Sequence, residues 1–179
     1  QRDFYARIVK NAKERTVVII SDAMRYEVGK ELFRRMQDDP KCTAKLEVQL
    51  SVLPSYTRLG MAALLPHAEL TMMDDFKVLI DGMPCDNLAE REAVLHKYSK
   101  DSTCVQFDNI KSLKVVELRS IFTGKQVVYV YHNQIDARGD KPNTEDEVFV
   151  ACQEAIAEII DLIRRISTSA NTYLSLIHI

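Results

Sequence analysis

Two continuous apolar runs stand out along the chain, and each predicts a buried β-strand. The first is VVII at residues 17–20, between a charged stretch and the pair Ser21-Asp22. The second is VVYVYH at residues 127–132, which leads into a polar loop. Uninterrupted runs rich in β-branched residues are typical of parallel strands that are covered on both faces.

The positions between these runs follow helical spacing. Met24, Val28, Leu32 and Met36 recur every four residues, which predicts an amphipathic helix over residues 24–36. The stretch LGMAALLP, after a turn at residues 54–57, predicts a short helix that ends at Pro66. Weaker patterns predict strands at residues 46–53, 78–80 and 104–107, and helices at residues 87–98, 114–122 and 144–166. Strands that alternate with helices predict an α/β fold with a mainly parallel sheet, in a single domain.

Charge and cysteine content narrow the class of protein. Lys and Arg total 24 against 26 for Asp and Glu, a net charge of -2, which gives no support for non-specific nucleic-acid binding. The 4 cysteines are widely spaced without a CxxC pair, which is typical of reduced thiols in a cytoplasmic protein. No apolar run approaches the roughly 20 residues that span a bilayer, and no signal peptide opens the chain. We therefore expect a cytoplasmic protein without membrane contact. The chain does not begin with Met, so we also expect it to be part of a longer protein.

Polar residues in three loops are the candidates for chemistry, because ligands of parallel α/β sheets bind at the carboxyl ends of the strands. Asp22 directly follows the first strand, where a carboxylate either caps the next helix or binds a cation. Thr57 opens the short helix, where its hydroxyl is either an N-cap or a group placed to act on a phosphate. Local sequence alone leaves both roles open for both residues.

Asp136 and Asp140 lie in the loop after the second strong strand. Two neighbouring carboxylates suggest a site for a hard cation or zinc, and a solvated acidic loop is the alternative. His132, at the end of the same strand, is either a structural polar residue or a metal ligand. Acidic groups and a hydroxyl that each follow a different strand suggest metal-assisted phosphoryl transfer.

Three segments, in this order along the chain, resemble the motifs of PglZ domains. They are SDAMRYE at residues 21–27, PSYTRLGMAALLPH at residues 54–67 and YHNQIDARGDK at residues 131–141. The resemblance is to the type A phosphatase-like component of bacterial BREX phage-defence systems, within the alkaline phosphatase superfamily. It implies a three-layer α/β fold with a mainly parallel sheet, incomplete in this chain, with residues 1–173 as a partial PglZ domain. It also implies other BREX defence proteins as partners and a phosphate-containing substrate, with nucleotides and nucleic acids among the candidates.

The resemblance further implies roles for individual residues. Thr57 matches the nucleophile, which also contacts a metal, and Asp22 matches the first metal-binding aspartate. Asp136 matches the acid of the superfamily's Asp-x-x-Gly-His element, and Asp140 stands where that histidine would be. The implied cofactors are two divalent metal ions, which in this superfamily are usually zinc.

One part of the family pattern is missing from this chain. Family members carry an Asp-His pair on the strand after the last helix and a distal histidine beyond it, whereas residues 173–179 are YLSLIHI. We therefore expect a fragment truncated at both ends, with residues 174–179 as a non-native tail, that binds zinc weakly and catalyses nothing measurable by itself. The implied function is that of a metal-dependent phosphatase or phosphodiesterase domain of a BREX system. The alternative is a non-catalytic structural or interaction component of the defence complex.

Overall fold

The structure is a computed structural model that describes residues 2–139, 145–167 and 172–177. A helical segment at Tyr5–Val9 precedes β1 (Thr16–Ser21), α1 (Tyr26–Gln37) and α2 (Thr57–Ala63). The middle of the chain contains β2 (Leu70–Met72), β3 (Val78–Ile80), β4 (Met83–Pro84), α3 (Leu88–Tyr98) and β5 (Ser102–Gln106). The last third contains α4 (Phe107–Ile110), α5 (Val115–Phe122), β6 (Val127–His132), α6 (Asp136–Gly139), α7 (Glu145–Ile166) and β7 (Thr172–Ile177).

Four of the strands form a parallel sheet in the order β5-β6-β1-β7. The two apolar runs of the sequence become its central strands, β1 and β6, and every residue of both strands is buried. These strands pair in register from Thr16 opposite Val127 to Ser21 opposite His132. The predicted α/β fold with a mainly parallel sheet is confirmed.

Apolar side chains cover both faces of this sheet, because neighbouring residues of a strand point to opposite sides. On one face, Val18 and Ile20 belong to a core with residues of α2, α3 and the first helical segment. On the other face, Val17 and Ile19 belong to a core with residues of α1, α5 and α7. We call these two sides the α2 face and the α7 face. Helices on both sides of one sheet give the three layers of the fold.

A small antiparallel sheet of β2, β3 and β4 adds to the core on the α2 face. Asp81 and Gly82 join β3 to β4 with φ angles of 49° and 76°. Positive φ at both positions is the conformation of a tight two-residue hairpin turn, in which Asp-Gly is a favoured pair. Of these three strands, the sequence pattern predicts only the one at residues 78–80.

The strand expected at residues 46–53 is wrong. The segment has no regular secondary structure, and Val48, Leu50 and Leu53 are 78%, 86% and 83% exposed. A strand must pair its backbone with a neighbour, and this segment joins neither sheet in the described part of the chain. Its apolar residues therefore form no buried face. The loop that carries Thr57 consequently does not follow a strand.

The other predicted elements are confirmed, with ends that differ by a few residues. The expected helix at residues 144–166 is α7, although Thr144 itself lies outside the described residues. The strand expected at residues 104–107 is β5, shifted toward the amino terminus. Among the described residues, none of the helices combines the length and the apolar character that crossing a membrane requires.

Candidate functional site

A cavity of about 210 Å³ lies where β1, β5 and β6 reach their carboxyl ends. Ile20 and Met61 contribute apolar walls, which place the cavity on the α2 face. Polar and charged residues from several elements line the rest of it, namely Asp22, Thr57, Arg91, Gln106, Tyr131, His132 and Asn133. This is the edge of the sheet where ligands of parallel α/β folds bind.

Asp22 follows β1 directly and is half-buried. Its backbone N–H donates to the carbonyl oxygen of His132 over 2.9 Å, so the pairing of β1 with β6 continues one residue beyond Ser21. Its Oδ1 accepts a hydrogen bond of 3.0 Å from the N–H of Ala23. The N-cap of α1 is Arg25, whose side chain makes no capping bond. Asp22 lies three residues before that position and is therefore not the N-cap of α1.

Thr57 is the first residue of α2, and its side chain is exposed. The N-cap position belongs to Tyr56 without a side-chain capping bond, so the capping alternative is wrong for Thr57 as well. The buried hydroxyl of Tyr129 in β6 donates to the carbonyl oxygen of Leu64, just after α2, over 2.8 Å. This bond fixes α2 against the sheet and holds Thr57 at the cavity.

Arg91 in α3 brings a positive charge to the cavity, a contribution that the sequence pattern does not predict. Its Nε donates to the carbonyl oxygen of Cys85 over 3.0 Å, and its Nη2 donates to that of Asp86 over 3.1 Å. The guanidinium carbon lies 4.7 Å from the centre of the Tyr131 ring, a cation–π contact. Burial raises the pKa of Tyr131 well above its usual value, so the ring keeps a neutral hydroxyl. These contacts hold a cationic group in the cavity wall.

His132 is a structural residue in this fold. Its ring is buried, with Nδ1 3.0 Å from the Ser21 hydroxyl oxygen and Nε2 3.1 Å from a Glu158 carboxylate oxygen. Burial lowers the pKa of His132, although the nearby Glu158 carboxylate favours the protonated ring. A neutral imidazole has one donor and one acceptor, so Nε2–H donates to Glu158 and Nδ1 accepts from Ser21. Since both nitrogens are engaged, the structure supports the structural alternative over the metal-ligand alternative.

Asn133 follows β6 in the same way that Asp22 follows β1. Its side-chain oxygen is buried, and within the described ranges that oxygen has no hydrogen-bond partner. The sequence pattern does not single out Asn133, because an asparagine after a strand is common in turns.

Of the two acidic residues in the loop after β6, the structure describes Asp136. Asp136 begins the four-residue helix α6 and is not among the residues that line the cavity. Asp140 lies outside the described residues. In the described part of the chain, no three His, Cys, Asp or Glu side chains gather in a group that could hold a metal. Asp22 and Thr57 offer two oxygen donors, whereas catalytic zinc takes three protein ligands, so these two residues fit part of a metal site.

Comparison with known proteins relates this geometry to a family. A family model described as the BREX system PglZ alkaline phosphatase-like domain matches residues 3–177. The alkaline phosphatase-like protein PglZ of Bacillus cereus (strain H3081.97) is 40% identical over 166 residues, which cover 91% of this chain and 19% of that protein. The alkaline phosphatase-like protein BrxZ of Escherichia coli O9:H4 (strain HS) is 39% identical over 173 residues, which cover 93% and 20% respectively. The chain thus spans about a fifth of the length of these curated relatives.

Proposed function

Since the chain belongs to the PglZ family of alkaline phosphatase-like domains associated with BREX systems, we propose that its cavity is the site of a metal-dependent phosphoryl transfer. The observation that carries the proposal is the gathering of a hydroxyl, a carboxylate and a guanidinium around one cavity. These groups come from Thr57, Asp22 and Arg91. Each has a separate task in the transfer of a phosphoryl group.

Thr57 is the proposed nucleophile. Its hydroxyl oxygen forms a bond to phosphorus while the bond from phosphorus to the leaving-group oxygen breaks, and the hydroxyl proton passes to solvent. Water then attacks the phosphothreonine, which releases phosphate and restores the hydroxyl. The exposure of Thr57 gives both substrate and water access to this oxygen.

Asp22 is the proposed metal ligand beside the nucleophile. Its backbone bond to β6 fixes the backbone of Asp22 at the end of β1, and its Oδ1 accepts from the Ala23 N–H. Asp136 and Asp140 are the proposed ligands of a second divalent ion, with zinc among the metals to test. A bound divalent cation lowers the pKa of a hydroxyl and neutralises negative charge on a phosphoryl group.

Arg91 is the proposed binding group for the phosphoryl oxygens, because guanidinium N–H groups match the geometry of phosphate. The cavity volume of about 210 Å³ is below the roughly 300 Å³ at which sites begin to enclose a small molecule. It therefore suits a phosphoryl group whose attached molecule extends into solvent. Nucleotides, nucleic-acid phosphodiesters and phosphoproteins all meet this description.

Hydrolysis of p-nitrophenyl phosphate and of bis(p-nitrophenyl) phosphate by a full-length PglZ relative tests the proposal. The reactions contain Mg²⁺, Mn²⁺ or Zn²⁺, and the substitution is made at the position equivalent to Thr57→Ala. Loss of the nucleophile should lower the rate more than about a thousandfold. The equivalent of Thr123→Ala, an exposed threonine after α5, is the control and should keep the rate. A Thr57→Ala variant that hydrolyses both substrates at the original rate would contradict the proposal.

The second candidate is a non-catalytic component that binds other proteins of the BREX assembly. The two proposed functions predict different results when phage protection is measured for a BREX system that carries Thr57→Ala. Protection should be lost if the site is catalytic and should persist if the domain only binds its partners.

We also propose that the domain works in the cytoplasm beside other BREX proteins. The unpaired state of Cys42, Cys85, Cys104 and Cys152 supports a reducing compartment.

A further inference from the structure

Asp22 and Asn133 occupy equivalent positions at the ends of two neighbouring parallel strands. The register of β1 and β6 ends with Ser21 opposite His132, and the bond from the Asp22 N–H to the His132 carbonyl extends it. Side chains at equivalent positions of paired parallel strands point to the same face of a sheet. Both residues accordingly line the cavity on the α2 face.

The side-chain oxygen of Asn133 is a buried acceptor without a hydrogen-bond partner in the described part of the chain. Buried acceptors in native proteins are nearly always paired with the protein, with water or with a bound species. Asn133 is also one of the residues that line the cavity that holds the proposed nucleophile. Its position therefore points to a bound species in the cavity.

The surrounding groups favour a cation as that species. Thr57 and Asp22, which carry a hydroxyl and a carboxylate, line the same cavity as Asn133 with its amide oxygen. Hard divalent cations such as Mg²⁺ and Mn²⁺ take oxygen ligands of these three kinds. His132, the histidine in the wall, has both ring nitrogens engaged in hydrogen bonds.

We infer that Asn133 is a ligand of the cation that Asp22 binds, and that this cation belongs to the hard, oxygen-binding class. The inference rests on the proposed function for the role of Asp22, and it adds a ligand from the end of β6. The amide oxygen completes a set of three oxygen donors whose backbone positions are set by two paired strands and by α2.

Binding of Mn²⁺ to the purified chain tests the inference, measured as loss of the free-ion signal in electron paramagnetic resonance near neutral pH. We expect the wild-type chain to bind Mn²⁺ and an excess of Mg²⁺ to displace it. Asn133→Ala should weaken binding at least tenfold, whereas Asn133→Asp keeps an oxygen at the same place and should bind at least as tightly as wild type. Asn109→Ala removes an exposed asparagine outside this cavity and should leave the Kd unchanged.

The possible failures separate this inference from the proposed function. If Asn133→Ala binds Mn²⁺ like wild type while Asp22→Ala does not, Asn133 is not a ligand and the Asp22 site stands. If neither substitution changes binding, or if the wild-type chain binds no Mn²⁺, the inference is wrong, and hydrolysis by the full-length relative decides the proposed function separately. Circular dichroism checks the fold of each variant. If the alanine variant is unfolded, the comparison of Asn133→Asp with Asn133→Leu, which has the shape of asparagine without its oxygen, decides the question.

Discussion

Cys85 and Cys104 lie in the core on the α2 face of the sheet. Burial raises the pKa of Cys85 to about 11 and that of Cys104 to about 12. The thiolate is the reactive form of cysteine, so both side chains are inert near neutral pH. Cys42, by contrast, is half-buried in the irregular segment before α2.

Alkylation with iodoacetamide at pH 8 should therefore modify Cys42 first and leave Cys85 and Cys104 unmodified. With a pKa of about 11 to 12, these two thiols are ionised to roughly one part in a thousand or less at this pH. Mass spectrometry of tryptic peptides measures the order of modification. The same peptides alkylated in guanidinium chloride are the control, where all the cysteines should react. Early modification of Cys104 in the native protein would show that its burial is wrong.

Single residues show how far the sequence leads toward the site. Asp22 is predictable because it directly follows a strong apolar run, and the carboxyl ends of such strands carry ligands. Thr57 depends on the family resemblance, since the segment before it is not a strand. Arg91 and Asn133 are not predictable from spacing, because an arginine in a helix and an asparagine after a strand are common on surfaces. Their place in the cavity wall becomes visible only in the fold, where α3 and the end of β6 meet at one cavity.

At the scale of elements, the first turn of α3 sets the position of Arg91. Asn87 accepts a hydrogen bond of 2.9 Å from the backbone N–H of Glu90, and Glu90 accepts from the backbone N–H of Asn87 in return. This reciprocal pair is a capping box, which satisfies two backbone donors at the start of a helix. The sequence predicts a helix over residues 87–98, and the structure has Asn87 as its N-cap.

Asn87→Ala should lower the free energy of unfolding by about 1 kcal/mol, because the cap oxygen is lost. Urea denaturation followed by circular dichroism measures the change as a lower midpoint with an unchanged slope. Asn87→Ser is the matched control, because its hydroxyl also caps a helix and should preserve most of the stability. Equal destabilisation by Ala and Ser would indicate that the cap does not determine the effect.

Two elements show why the remaining structure was harder to predict. The alternation of apolar residues at positions 46–53 indicates a strand. Alternation shows only that the segment could form a strand, and it does not supply a neighbouring strand to pair with. Conversely, the Asp81-Gly82 pair is a strong hairpin signal, yet the strands on either side of it have only 3 and 2 residues. Strands this short carry too few positions to show a period. Packing against α2 and α3 stabilises them, and that contact is not visible in local sequence.

At the scale of the whole molecule, a buried parallel sheet contrasts with the exposed segment between α1 and α2. The strands β1 and β6 have partners on both sides and are covered on both faces. Residues 43–52 have no regular secondary structure, and most of them are exposed. We therefore expect local opening to be most frequent in this segment.

Limited digestion with trypsin should cut first after Lys41 and Lys45, because exposed irregular backbone enters a protease active site more readily than a helix does. A time course analysed by mass spectrometry identifies the first products. Lys97 and Arg119, which are partly or fully exposed within α3 and α5, serve as internal controls and should be cut later. If cleavage within these helices comes first, the segment before α2 is more protected than its exposure indicates.

The side chains of β1 and β6 alternate between the two faces of the sheet. This alternation limits where the protein tolerates insertions and deletions. Deleting one residue inside β1 would reverse the face of every later side chain in that strand and turn Asp22 away from the cavity. A deletion at the start of β1 would also move Val18 and Ile20 out of their core, so the loss of the site and the loss of stability would come together. Residues 43–52 belong to neither sheet, and insertions there leave the strand register intact. Length variation among relatives should therefore be concentrated before α2 and rare within the two central strands.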